Sequence, residues 1–314
     1  MSKALLGVVV ALGGFAFVRA ALAPVLCLRA PRPAASAVRE VRALFMRAVA
    51  PTVAAAAVTL LLLVPAFVQF EPAAQGERAG LVLVVAAGAG LVQIAWMAAR
   101  GAWMLLGARR LTRRWLRRAT PLADGTWPLP ATRIDTGMPV VALAGWRRPH
   151  LLVDRRVIET CTPVELAAIG AHERAHAVAS DNARRWLVGV CCGWSSGTGR
   201  AWSRAAEQAA DERAAETPER ALALASALVK VARLAPAPVF TDAVLSTMHD
   251  GGEIEARVTR LLALGDAARG RPPAAPPHME TWRVAVTMAG GGAIAAASLG
   301  PVHALIELLV QRLP

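Results

Sequence analysis

"GAHERAHAVASDN", residues 170–182, sets His172 and His176 four positions apart with Glu173 beside the first. On an α-helix, residues four apart lie about 40° from one another around the axis. Both imidazoles therefore leave one face and can share a tetrahedral cation, while Glu173 reaches a water there. The flanking residues specify the helix. Thr162, Pro163 and Glu165 supply an N-cap, a proline at the first helical position and a capping-box partner, and "VELAAIGAHERAHAVA" (164–179) follows with one glycine as its weakest helix former. Two surface histidines on an amphipathic helix would leave the same trace, so the reading turns on a third ligand.

"WSRAAEQAADERAAE" (202–216) offers one on a second strongly helical stretch. Glu207 and Asp211 stand four apart on one face, so Glu207 can bind the metal while Asp211 orients a ligand histidine from behind. The alternative is a solvated charged face with Arg204 and Arg213 as partners.

The surroundings are oily. Of 314 residues, 55% are hydrophobic and only 18% charged, which is too apolar for an ordinary soluble chain. Spans long enough for a hydrocarbon core, about 20 residues of helix, are read at 4–28, 48–70 and 79–99, with a last one at 284–302. The first contains Arg19, which must snorkel or face another helix; a cleaved signal peptide ending near Ala23 is the competing reading. Four cysteines without regular spacing form neither a disulfide framework nor a paired zinc site.

The net charge of +13 is nearly all arginine. Arg29, Arg32, Arg39, Arg42 and Arg47 lie between the first two spans, and Arg109, Arg110, Arg113, Arg114, Arg117 and Arg118 follow the third. The segment between the second and third spans holds Glu71, Glu77 and Arg78. This bias predicts a cell-membrane, multi-pass protein whose first and third loops are cytosolic. It also removes the main support for direct nucleic-acid binding, since these arginines meet lipid headgroups. The expected organisation is a membrane region, 1–118; a cytosolic domain bearing the candidate zinc site, 119–264; a proline-rich linker, 265–281, opening with "GDAARGRPPAAPPH"; and a last span with a short tail, 282–314. The expected fold class is mainly α, a multispan membrane protein of about four transmembrane helices with a zincin-like domain carrying a small β-sheet. "MPVVALAGWRRPHLLVD" (138–154) supplies two of its strands, flanking a turn at Gly145 to Arg148.

"LAAIGAHERAHAVASDN" (166–182) followed by "RAAEQAADERA" (204–214), after three spans and before a last one, resembles the integral-membrane zinc metallopeptidases of the BlaR/MecR antirepressor type. A more distant likeness is to the HtpX-like and prenyl-protein proteases. The resemblance implies His172, His176 and Glu207 as ligands of Zn2+, Glu173 as general base, and Asp181 and Asp211 as acids supporting the ligands. It implies that an edge strand, here Val140 to Ala144, pairs with an extended substrate. Relatives also place a histidine and an arginine after the third ligand, and "STMHDGGEIEARVTRLLAL" (246–264) offers His249, Arg257 and Arg260; His249 and Arg257 are the candidates for stabilising the transition state. With no tyrosine in the chain, a phenolic donor is excluded. The expected activity is a zinc metalloendopeptidase acting on a protein or peptide, such as a transcriptional repressor or a membrane protein. The alternatives are a transducer that cuts only itself or a repressor, and a non-catalytic scaffold. Only "VHALIELLVQRLP" (302–314) follows the last span, where the resembling transducers carry an outer sensor, so direct antibiotic sensing is not expected.

Overall fold

The computed structural model describes residues 2–28, 36–70, 79–117, 119–122, 127–193, 196–234, 246–247 and 254–268. The chain is mainly α with a small mixed sheet, and among the described residues three helices are long and apolar enough to cross a membrane. These are α1 (Lys3–Leu28), the continuous helix formed by α2 (Ala37–Val58), a π-helical segment (Thr59–Leu63) and α3 (Val64–Phe70), and α4 (Leu81–Leu116). The fourth expected span, 284–302, lies outside the described residues.

Two compact units divide the chain. The first comprises α1, the part of the α2–α3 helix from Val49 onward and α4 as far as Ala98. Leu6 and Val10 of α1 pack with Phe67 of α3 beside Leu83 of α4. Close approach depends on glycine: a Cβ on Gly90 would lie 2.2 Å from the Leu12 carbonyl oxygen, so nothing larger lets α4 reach α1. Arg19 donates from Nε to Thr52 Oγ1 at 3.1 Å, which satisfies the cation that interrupts the first apolar run.

The second unit comprises, among the described residues, 36–48 and 99–268. It therefore begins earlier than the expected boundary at 119. Most of the arginine-rich stretches read as loops are helix, since arginine is a good helix former, and they pack on this unit. Arg39, Arg42 and Arg47 lie on α2, where Ala37 N donates to Glu212 and Phe45 sits under the Arg184 guanidinium at 5.8 Å. Arg109, Arg110, Arg113 and Arg114 lie on the end of α4, whose Leu111 and Trp115 cover Ile134, Ala144 and Leu152.

Among the described residues the sheet has five strands: β1 (Thr120–Pro121), β2 (Ala131–Ile134), β3 (Val141–Ala144), β4 (His150–Asp154) and β5 (Ser246–Thr247), in the order β1-β2-β4-β3-β5. The hairpin read from sequence is β3–β4, and Gly145 at its turn adopts φ 84°, where a Cβ would meet Arg148 O at 2.7 Å. The expected edge is not free. β3 pairs with β5 on its far side, Ala142 opposite Thr247 and Leu143 opposite Ser246, so the chain's own strand occupies it.

The remaining helices are α5 (Arg155–Thr160), α6 (Pro163–Ala179), α7 (Asp181–Cys191), α8 (Gly197–Ala214), α9 (Pro218–Leu234) and α10 (Ile254–Ala268). The apolar stretch on α7 belongs to the interior, with Val188 and Cys191 buried. α6 and α9 close the main core through Ile169, Leu224 and Leu228, beneath Leu151 and Val153 of β4. α10 runs along α9 and continues through Gly265 to Ala268, so the linker does not begin at 265. Gly265 faces Ala221 and Pro218, and this packing outweighs its poor helix propensity. The other linker residues lie outside the described residues.

Candidate metal centre

α6 starts as its sequence dictates. Thr162 Oγ1 accepts from Glu165 N, and the Glu165 carboxylate accepts from Thr162 N at 2.7 Å, so two otherwise orphaned donors are satisfied reciprocally. The helix stops at Ser180, the one non-glycine residue with positive φ among those described (φ 55°, ψ 38°). That left-handed step starts α7 in a new direction and brings Asp181 back against α6, where Oδ2 lies 2.8 Å from His176 Nδ1. α8 lies against α6 through a face of buried alanines, Ala205, Ala206, Ala209 and Ala210. Their small side chains let the two helices approach closely enough for Glu207 to reach both histidines.

His172, Glu173 and His176 are buried at 0%, 1% and 0% exposure. Glu207 places Oε2 at 3.5 Å from His172 Nε2 and Oε1 at 3.6 Å from His176 Nε2, while the two Nε2 atoms lie 3.2 Å apart. One ligand atom from each of these three residues falls within 4.8 Å of the others. Behind them, Asp211 Oδ1 sits 3.0 Å from His172 Nδ1 without hydrogen-bond geometry, while Asp181 Oδ2 is hydrogen-bonded to His176 Nδ1. The Asp181 carboxylate on His176 Nδ1 favours that nitrogen as the donor and leaves Nε2 with a lone pair facing the shared point.

Two buried arginines complete the cluster. Arg257 of α10 grips Asp211 with two hydrogen bonds and sets Nη1 at 3.3 Å from Glu207 Oε2. Arg185 of α7 brings Nη2 to 3.5 Å from Glu207 Oε1, with its guanidinium 5.9 Å from the Trp202 ring. The carboxylates of Glu173, Asp181, Glu207 and Asp211 converge on the two imidazoles, so the cluster could hold a metal ion. The donor set of two histidines and a glutamate fits zinc chemistry.

No protein-family model and no curated protein matches this chain.

The electrostatics follow from burial and charge. Burial disfavours protonated imidazole, yet Glu207 and Asp181 overcome it and push His176 up to about 10; Asp211 and Glu207 likewise raise His172. A cation at the shared point would compete with those protons. Burial opposes ionisation of Glu207 and Asp211, but the His176 charge dominates at Glu207 and the Arg257 guanidinium at Asp211, and both are held below the usual carboxylate range. Burial raises Glu173, and neither of its carboxylate oxygens has a hydrogen-bond partner among the described residues. A carboxylate of raised proton affinity, with no hydrogen-bond partner among the described residues and beside a candidate cation site, is suited to accept a proton from a water and return it.

The structure thus brings together His172, Glu173, His176, Glu207, Asp211, Asp181 and Arg257. The Arg257 guanidinium makes two hydrogen bonds to Asp211 and lies 3.3 Å from Glu207 Oε2. His249 lies outside the described residues. Two contributors carried no sequence signal of their own. Arg185 looked like one more arginine in a basic chain, and Asn182, whose Nδ2 donates to Leu143 O and Gly145 O, ties α7 to the end of β3.

Proposed function

We propose that this protein is a membrane-embedded zinc-dependent endopeptidase of the BlaR/MecR antirepressor type, with its catalytic domain facing the cytosol. The observation that carries the reading is the buried convergence of His172, His176 and Glu207 beside the unpartnered Glu173 carboxylate. A zinc ion held by those three side chains would polarise a substrate carbonyl and acidify water. Glu173 then removes a proton from the attacking water and delivers it to the leaving amine. Asp181 keeps His176 in the ligating tautomer and Asp211 stands behind His172, and Arg257 and Arg185 hold Glu207 in place. Orientation rests on the arginine bias.

One observation favours a narrower reading, a transducer that processes itself. Ser246–Thr247 pairs with β3, the strand on which an extended substrate is expected. The test is a comparison of protein N-termini in the native host between wild type and Glu173→Gln. New termini lost in the variant, in other proteins, support the broad reading; a single lost terminus within this chain supports the narrow one; none at all defeats both. Metal content separates roles: His172→Ala and Glu207→Ala lose the metal while Glu173→Gln keeps it. Alkaline phosphatase fused after Leu234 should be silent, and fused after Gln75 or Pro314 active.

A further inference from the structure

Asp154 N donates to Val140 O, and along the antiparallel β3–β4 pair the backbone groups of alternate residues turn to the same side. Ala142 and Ala144 therefore direct their carbonyls to β4, while Val141 and Leu143 direct theirs to the opposite edge. On that edge Ser246–Thr247 pairs with Ala142 and Leu143, and no described residue pairs with β3 there beyond Leu143.

Asn182 closes the next stretch. The residue is 4% exposed, and its Nδ2 donates to Leu143 O at 2.8 Å and to Gly145 O at 2.9 Å, so both amide protons sit on carbonyls at the end of the strand edge. The turn beyond is held as well: Trp146 packs edge-on against Trp186 of α7 with ring centroids 5.7 Å apart, and the Trp186 indole donates to Gly101 O. The residue before Asn182 is Asp181, whose Oδ2 lies 2.8 Å from His176 Nδ1. Two consecutive side chains at the start of α7 thus fasten a candidate metal ligand and the end of a strand-pairing edge.

We infer that Asn182 is a positioning residue that sets the register of an extended peptide substrate on β3. A substrate strand that takes the place of Ser246–Thr247 pairs as far as Leu143 and is turned off the edge by the Asn182 amide. That stop fixes which of its peptide bonds stands at His172, His176 and Glu207. Because side chains alternate along a strand, the next register that keeps the same side chains on the same face is two residues away. Without the amide, the carbonyls of Leu143 and Gly145 can pair, and the second register opens. For a strand antiparallel to β3, as Ser246–Thr247 is, sliding toward Gly145 moves the cut two residues toward the substrate's C-terminus. The inference rests on the endopeptidase reading and adds to it the residue that decides where a substrate is cut.

The test uses the zinc-loaded full chain in a mild non-ionic detergent and, as probe, a peptide library from a tryptic digest of denatured bacterial proteins, with cuts located by mass spectrometry. Asn182→Ala should keep its zinc and gain cuts two residues C-terminal to the wild-type ones, increased relative to the original cuts by roughly 5- to 10-fold, about the effect of one or two hydrogen bonds. Asn182→Ser, whose hydroxyl can donate to only one of the two carbonyls, should give an intermediate pattern, and it carries the test if the alanine variant does not fold. Unchanged cut positions in a folded, zinc-bearing variant, or a uniform fall in every cut, would overturn the assignment, because a residue that only stabilises the fold changes the amount of cleavage and not its place. A zinc-loaded wild type that cuts no peptide in the library defeats the endopeptidase reading itself, and this inference with it.

Discussion

Arg257 donates twice to Asp211, from Nε to Oδ2 and from Nη2 to Oδ1, each at 2.8 Å, although the two residues are 46 positions apart on different helices. Asp211 in turn stands 3.0 Å from His172 Nδ1, so α10 holds the α8 carboxylate that lies against the α6 histidine. Removing the guanidinium strands a buried carboxylate. Arg257→Ala should therefore destabilise the protein by about 3 kcal/mol and weaken zinc binding by about 10- to 100-fold without abolishing it. Arg257→Lys keeps the charge but not the two-pronged geometry and should recover only part. Denaturation and metal titration of the full chain measure both effects, and unchanged zinc affinity in Arg257→Ala would show that Asp211 needs no such support. Asp211→Ala should lower affinity over the same range of about 10- to 100-fold.

Ser180 occupies the left-handed region, exposed and without a side-chain capping bond to α7. Holding a residue with a Cβ there costs about 1 kcal/mol. Ser180→Gly should raise stability by up to about that amount, while zinc stoichiometry stays the same. A loss of stability would mean that the hydroxyl has a role the turn geometry does not show.

Glu165 links α6 to α9. Burial works against its ionisation, but hydrogen bonds from Lys230, Ser226 and Thr162 prevail and bring it down to about 2. A carboxylate whose folded value is depressed contributes stability that is full above its unfolded value and fades as pH falls through the folded one. The window here runs from about 4.5 down to about 2. With Lys230 34% exposed, water screens the pair, so the contribution at neutral pH is on the order of 1–2 kcal/mol. The stability gap between wild type and Glu165→Gln should be widest near neutrality and narrow on acidification across that window. A gap independent of pH would assign the effect to packing.

Gly90 and Gly88 make a paired test in the first unit. A Cβ at Gly90 meets the Leu12 carbonyl oxygen at 2.2 Å, whereas one at Gly88 meets nothing within 4 Å. Gly90→Ala should cost about 1–3 kcal/mol, the range for forcing atoms into a packed contact, and Gly88→Ala should be neutral or slightly stabilising. Thermal midpoints in one detergent compare them directly; equal effects would mean that α1 and α4 do not meet at Leu12.

Much of the site was legible along the chain because its signals are local. The capping box at Thr162 and Glu165, the four-residue spacing of His172 and His176, and that of Glu207 and Asp211 each lie within a turn of helix, where backbone geometry alone decides which side chains share a face. The β3–β4 hairpin was legible for the same reason, through Gly145. The arginine stretches were harder: hydropathy shows where an apolar run ends but not whether the helix does, and α4 carries its arginines on further helical turns to Leu116.

By itself, the sequence determined the helix bearing His172, Glu173 and His176, the helix bearing Glu207 and Asp211, and the apolar lengths of α1 to α4, since propensity, capping and period act over a few residues. Only the tertiary structure decided that Asp211 faces Arg257, that Arg185 reaches Glu207, and that β3 is flanked by Ser246–Thr247 instead of standing free. Those pairings join segments tens to about a hundred residues apart, and no local signal encodes them. They follow from which apolar faces are buried together, Ala205 to Ala210 against α6 and Leu261 in the core beside α9, and the charged side chains then take the partners that this burial leaves within reach.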